Sequence, residues 1–337
     1  VGLTPTQLAT ASIPQYAGFL VARDRDAYAS LLEGVSQIAP DMASRPEAEG
    51  AIRAFYKGFQ PTWNDIVEGI PAELDILASS LKSVLAELKP NTVVPFIGPA
   101  GSGKTTLLMQ MCYALCRSKG INVYFIHEPK KELKKILEAL EQSSREATRI
   151  VVAIDNVDVV ADQLSESLAS GRLSKTTILC AERENSWKKR TVHKLGHFSS
   201  GAIPINEFSQ RDAKKILDKL QAYGSWTVLG QMSERERVHA LVDRAKKQLL
   251  IALLEATYGR GFGEIIERDY QTLTSAEERM FFLTVGVVTE RHFDAPLSLV
   301  DRALSSLGIL SKSTVFSEAL SGIVMTRGDA LTARHPV

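Results

Sequence analysis

From residue 92 the chain alternates short, largely apolar runs with longer amphipathic stretches. The apolar runs fall at 93–97, 122–127, 149–155, 176–181 and 202–205. Runs of that length, apolar through their centres, predict strands buried on both faces, which belong to a parallel sheet with helices on either side. The intervening segments 106–117, with Leu107, Leu108, Met111 and Leu115 at helical spacing, 130–142 and 158–169 are predicted as the helices of that α/β layer. Upstream, the pattern predicts a helix over 24–38, turns around Pro40 and Pro46, a helix over 51–56, and a helix over 71–88 with Pro71 in its first turn and Leu74, Leu77, Leu81 and Leu85 on one face.

After Ile205 the strands stop. Ser209, with Asp212 three residues later, predicts an N-cap opening a helix to Tyr223, and further helices are expected over 233–257 and 262–270. From Ser275 come a helix carrying Met280, Phe281, Phe282 and Val285, a turn over 292–296, a helix over 297–307, and apolar pieces at 309–310 and 322–325. Three short helices followed by strand-like pieces are the pattern of a winged helix. The expected organisation is a helical linker (1–50), an α/β core (51–207), a helical lid (208–272) and a winged-helix domain (273–337).

Composition narrows the class without changing this picture. The apolar set is 45% of 337 residues and charged residues 23%, which excludes a disordered chain, and a net charge of +1 gives no reason to expect a nucleic-acid partner. Lys188, Lys189 and Arg190 form a short basic run that reads as a solvated face. No run of about 18 apolar residues and no secretory signal is visible, so no membrane partner is expected. Cys112 and Cys116 on a predicted helix and Cys180 in a predicted strand read as buried, reduced thiols of a cytoplasmic protein. Cys112 and Cys116 stand four apart, but no further ligand completes a metal site, and packing is expected of them. The first residue is Val1, and a piece of a longer polypeptide is expected.

The chemistry concentrates between the first core strand and its helix. Gly98-Pro99-Ala100-Gly101-Ser102-Gly103-Lys104-Thr105 has the spacing G-x-x-x-x-G-K-T, followed by Thr106. Glycines let backbone N–H groups turn inward as a phosphate cradle, and the following helix presents its positive end. Lys104 would reach the terminal phosphates, and Thr105 would offer its hydroxyl to Mg²⁺. ATP or ADP with Mg²⁺ is therefore the expected cofactor.

The strand 150–155 ends in Asp155, the expected second Mg²⁺ ligand, with capping of the next helix as the alternative role. Asn156 stands where many hydrolases carry a glutamate that deprotonates water, and an amide cannot accept that proton. Asp158 is then the candidate base, or a helix cap, and without a base hydrolysis is slow. Arg183 ends the strand 176–181 on the loop's edge; it would sense a γ-phosphate or pair with Glu182 or Glu184. Trp63 would stack on an adenine or anchor the upstream segment.

Together, the loop, Asp155-Asn156-Val157-Asp158, the strand end Ala181-Glu182-Arg183-Glu184, the helical lid from Phe208-Ser209 and the closing Thr332-Ala333-Arg334-His335-Pro336 resemble the STAND NTPases, signal-transduction ATPases related to the AAA+, NB-ARC and NACHT groups. The resemblance runs from about Trp63 to the end of the chain. It implies a P-loop ATPase switch with slow hydrolysis, a homo-oligomer on activation, effector and sensor domains outside this chain, and, in bacteria, antiphage defence. It also implies that His335 touches the β-phosphate of bound ADP. Asn156 and the absence of a clear Gly-x-Pro motif in the lid, where 249–254 is aliphatic, depart from the family pattern. The alternative is an AAA+ initiator-like ATPase whose winged helix binds DNA, but the helix 297–307 carries only Arg302 against Asp301.

Overall fold

The structure, a computed structural model, describes residues 31–42, 54–57, 60–99, 101–127, 132–144, 148–199, 201–205, 208–224, 229–245, 249, 253, 262–290, 295–308, 320, 323–327 and 330–333. Six strands form the main sheet: β1 (Val35–Ile38), β2 (Thr92–Gly98), β3 (Ile121–Ile126), β4 (Arg149–Asp155), β5 (Thr176–Arg183) and β6 (Ile203–Pro204), in spatial order β1-β3-β4-β5-β2-β6. All pairings are parallel except β1 with β3. Helices α1 (Trp63–Val67), α2 (Asp75–Glu87), α3 (Lys104–Leu115), α4 (Leu133–Ser143) and α5 (Ala161–Ala169) belong to this layer.

The strands are apolar through their centres because each face of the sheet is covered. On β4, Val152 and Ile154 join one apolar cluster with Leu133, Ile136 and Leu140 of α4 and Leu164 and Leu168 of α5. Val151 and Ala153 join the other, with Ile66 of α1, Leu77 and Val84 of α2, and Leu107, Leu108, Met111 and Leu115 of α3. Cys112, Cys116 and Cys180 are buried in these two layers.

Three upstream expectations are corrected. The helix predicted to reach Ile38 gives way to β1, because Gly34 sits at φ +81° and the burial of Val35 and Ile38 is paid for by sheet pairing rather than by a helical face. The helix predicted from Pro71 starts at Asp75, since the carbonyls of Pro71 and Ala72 are bound by the Gln110 side chain instead of a helical turn. The crossover predicted over 158–169 begins as a 3₁₀ turn (Val157–Val160) before α5. Most of 1–50 lies outside the described residues.

Helix α6 (Gln210–Tyr223) opens on the expected capping box: Asp212 N–H donates to Ser209 Oγ, and Ser209 N–H donates back to the Asp212 carboxylate. Its apolar face, Ala213, Ile216, Leu217 and Leu220, packs with Val238 and Leu241 of α7 (Glu234–Ala245), and also with Tyr56, Ile70 and Ala72 from upstream of the core. Polar bonds follow the same seam. Lys219 donates to the Gly69 carbonyl (2.5 Å), Lys215 to the Glu73 carbonyl and to Asp75, and Asp75 N–H donates to Asp212.

Helices α8 (Phe262–Thr272), α9 (Ala276–Glu290) and α10 (Leu297–Ser306) follow, with a three-stranded sheet ordered β7 (Ala295–Pro296), β9 (Ala330–Ala333), β8 (Val324–Arg327). Phe281 and Val285 of α9, Val300 and Leu304 of α10, Val324 of β8 and Leu331 of β9 make their common core. Thr289 Oγ1 accepts a bond from Ala333 N–H, pinning α9 to β9. No helix among the described residues is long and apolar enough to cross a membrane.

Candidate functional site: a phosphate-binding loop

The loop leaves β2 at Gly98 and enters α3 at Lys104. Two of its glycines are demanded by geometry. A Cβ on Gly98 would lie 2.8 Å from Ser102 Oγ and 2.9 Å from the Ile205 carbonyl oxygen, and Gly103, the N-cap of α3, has φ +84°. Gly101 also lies at positive φ. Ala100 and His335 lie outside the described residues; Pro99 supplies the carbonyl that Lys104 Nζ binds at 2.6 Å. Ser102 Oγ is buried with no hydrogen-bond partner among the described residues.

Strand alternation places the remaining groups. Asp155 follows Val151 and Ala153 on the face of β4 that carries α3, and Arg183 follows Leu179 and Ala181 on the same face of β5. Thr105, in the first turn of α3, donates its hydroxyl to Asp155 Oδ2 at 2.7 Å, across the intervening β5. Arg183 stands in register with Gly98 across the β2–β5 pair. One guanidinium nitrogen of Arg183 is buried without a partner among the described residues. Thr106 is half-buried in the first turn of α3 beside Thr105.

Electrostatics follow from burial. Lys104 is 9% exposed, and burial lowers its pKa to about 8, partly offset by Asp155. Burial likewise lowers that of Arg183, against the pull of Glu182, Asp158 and Asp155. Glu182 is pushed up to about 7, first by burial and then by the neighbouring Asp158 and Asp155 carboxylates, although two backbone amides favour its charged form.

Asp158 is already engaged. Its carboxylate pairs with Arg190 at 2.5 Å and its N–H donates to Glu182. Arg190 lies in a π-helical turn (Trp187–Thr191) after β5, and Lys188 of the same basic run pairs with Glu184. The run thus has partners. Asn156 adopts a left-handed conformation (φ 50°, ψ 57°), and its N–H donates to Asp155 Oδ1. Trp63 packs edge-on against Phe125 of β3, three strands from β2, so its ring anchors α1 to the sheet.

Sequence reasoning passed over two residues here. Glu182 entered only as an ion-pair partner for Arg183, yet its carboxylate binds backbone amides; a charged residue inside a run of buried strand positions was the signal. Gln110, an amide on the apolar face of α3, was the other.

The arrangement fits a magnesium nucleotide: a glycine cradle that a Cβ would fill, an orphaned buried serine hydroxyl, a lysine, and a threonine hydroxyl against a carboxylate, all at the carboxyl edge of a mostly parallel sheet. This is the arrangement of a P-loop nucleotide-binding site. Residues 53–194 match the family described as novel STAND NTPase 5.

No curated protein matches the chain in sequence. Among solved structures it is similar to a STAND protein with a tetratricopeptide repeat sensor from Pyrococcus horikoshii (15% identity, TM-score 0.41), covering 77% of this chain and 40% of that one. It is also similar to PCH-2 of C. elegans (13% identity, TM-score 0.39, 59% of this chain and 73% of that one). A third is the Aeropyrum pernix Orc1 protein in complex with DNA (12% identity, TM-score 0.40, 79% of this chain and 91% of that one). The chain spans well under half the length of the Pyrococcus protein.

Proposed function

We propose that the chain is the ATP- and ADP-dependent switch of a STAND-type signalling protein, hydrolysing ATP slowly. The observation that carries this is the Thr105–Asp155 bond beside the buried Lys104, on the same sheet face as Arg183. Thr105 and Asp155 would hold Mg²⁺, which neutralises charge on the phosphate oxygens. Lys104 would exchange its Pro99 carbonyl for the terminal phosphates, and the loop amides with Ser102 Oγ would bind the remaining oxygens. Arg183 would report a γ-phosphate, giving ATP and ADP different contacts, which a switch requires.

Slow turnover follows from the base. Asn156 cannot take a proton, and Asp158, the nearest candidate, is held by Arg190. The helices α6 and α7 would act as the lid, and the unit from α9 to β9 as a winged helix whose His335 closes on ADP. Release of that unit would expose a homo-oligomerisation surface, with effector and sensor domains supplied outside this chain and antiphage defence as the setting. Against the DNA-binding alternative, the described face of α10 offers Arg302 beside Asp301 and no further cation.

The test is to denature the purified protein, identify released nucleotide by chromatography, and measure ATP hydrolysis on the same preparation. Co-purified ADP with turnover below about one per minute, slow beside ordinary enzymes, is expected. Full signalling by Lys104→Ala, or brisk DNA-stimulated turnover, would refute the switch.

A further inference from the structure

Glu182 is 2% exposed at the carboxyl end of β5. Alternation sends it to the face opposite Arg183, the side occupied by Ile154, Cys180 and Trp187, so it lies behind the sheet as seen from the loop. There its two oxygens divide their work: Oε2 accepts the N–H of Asp158 at 2.8 Å, and Oε1 accepts the N–H of Arg183 at 2.7 Å. One amide belongs to the turn that follows Asp155, the other to the residue that would meet a γ-phosphate.

Resting on the nucleotide-binding role proposed above, we propose that Glu182 is a positioning residue: from the back of the sheet, its carboxylate locks the turn after Asp155 to the backbone of Arg183, fixing the Arg183 guanidinium relative to Asp155. Only a carboxylate can do this. Each of its oxygens is an acceptor, whereas an amide would turn an NH₂ group toward one of the two backbone donors and a shorter acid would not span both. Glu182 acts through Arg183 and does not touch nucleotide, so it governs what distinguishes ATP from ADP and not the cradle formed by 98–105.

The experiment compares Glu182→Gln, Arg183→Ala and the double variant, measuring ADP affinity, ATP affinity, kcat and Tm on the whole chain. Removal of one preorganised donor to developing charge lowers kcat by about a hundredfold or more. Arg183→Ala is expected to approach that loss. Glu182→Gln is expected to lower kcat at least about tenfold and to erase the preference for ATP over ADP, while ADP affinity stays within about twofold. On the Arg183→Ala background, Glu182→Gln should cost less than about twofold more, the non-additivity of residues acting as a unit. Should Glu182→Gln fail to fold, Glu182→Asp, which keeps the charge but not the span, replaces it with the same expected pattern. Additive losses, or ADP affinity and kcat falling by one common factor, would overturn the positioning role. Wild-type protein that binds no nucleotide would instead remove the underlying site assignment, and loss in Glu182→Gln without loss in Arg183→Ala would show that Glu182 acts elsewhere.

Discussion

The buried Lys104 makes nucleotide affinity depend on pH in a direction that can be worked out. Its pKa of about 8 lies about 2.5 units below the usual 10.5, so holding the charge in this pocket costs about 3 kcal/mol at ~1.36 kcal/mol per unit. Two terminal phosphates beside the ammonium would restore its pKa to the ordinary range, so binding above pH 8 takes up a proton. The neutral fraction of Lys104 in free protein is about one quarter at about pH 7.5 and about nine tenths at about pH 9, so affinity should weaken about eightfold across that interval.

Phosphate groups complete their own ionisation near pH 6 to 7 and add little there. Titration calorimetry with ADP and saturating Mg²⁺ in buffers of different ionisation enthalpy reads both the affinity and the proton uptake. Lys104→Arg, whose guanidinium stays charged, should bind weakly but with no such slope. A flat wild-type profile, or the same slope in Lys104→Arg, would refute the assignment of the proton to Lys104. In the absence of nucleotide the same shift runs the other way for folding: the stabilisation is complete above about pH 10.5 and is lost as pH falls through about 8.

Three further outcomes follow from the geometry. Thr105→Ala should abolish the enhancement of ADP binding by Mg²⁺ while leaving binding in EDTA within about threefold, because one neutral ligand is lost and the cradle is kept; an unchanged Mg²⁺ response in calorimetry would contradict it. Gly98→Ala should lose about 1–3 kcal/mol in urea unfolding together with nucleotide binding, since its methyl would meet the Ile205 carbonyl as well as Ser102; wild-type stability would show that the loop relaxes freely. Asp212→Ala keeps the Ser209 N-cap but removes the carboxylate that accepts the Ser209 N–H and the Asp75 N–H, and should cost about 2–3 kcal/mol by the same assay; a loss below ~0.5 kcal/mol would mean the seam carries no stability.

What was legible in the sequence was local. The loop needs only consecutive residues, and the doubly buried strands announce themselves because their central positions are all apolar, so β4 appears at its predicted bounds and α6 at its predicted cap. What was illegible depended on residues far apart. β1 is a strand because β3 offers it an edge, and nothing within 24–38 reveals that edge. The start of α2 is moved to Asp75 by Gln110, some forty residues away. Asp158 looked like a free base until the π turn brought Arg190 to it, and Glu182 looked like a partner for the side chain beside it, while the alternation of the strand turned the two to opposite faces.

The seam between α6 and residues 69–75 has a kinetic consequence. Lys219 and Gly69 are separated by 150 positions, and strands β2 to β6 of the sheet are threaded between them. Closing so long a loop in an unfolded chain is entropically costly, and folding of the sheet first shortens it by bringing both flanks to one edge. Helix α6 is therefore expected to be the last part to assemble and, by the same logic, the first to detach. Amide protons of α6 should exchange ahead of those in β4, and in a fragment begun at residue 92 helix α6 would keep α7 but lose Tyr56, Ile70 and Ala72 and its polar partners in 69–75.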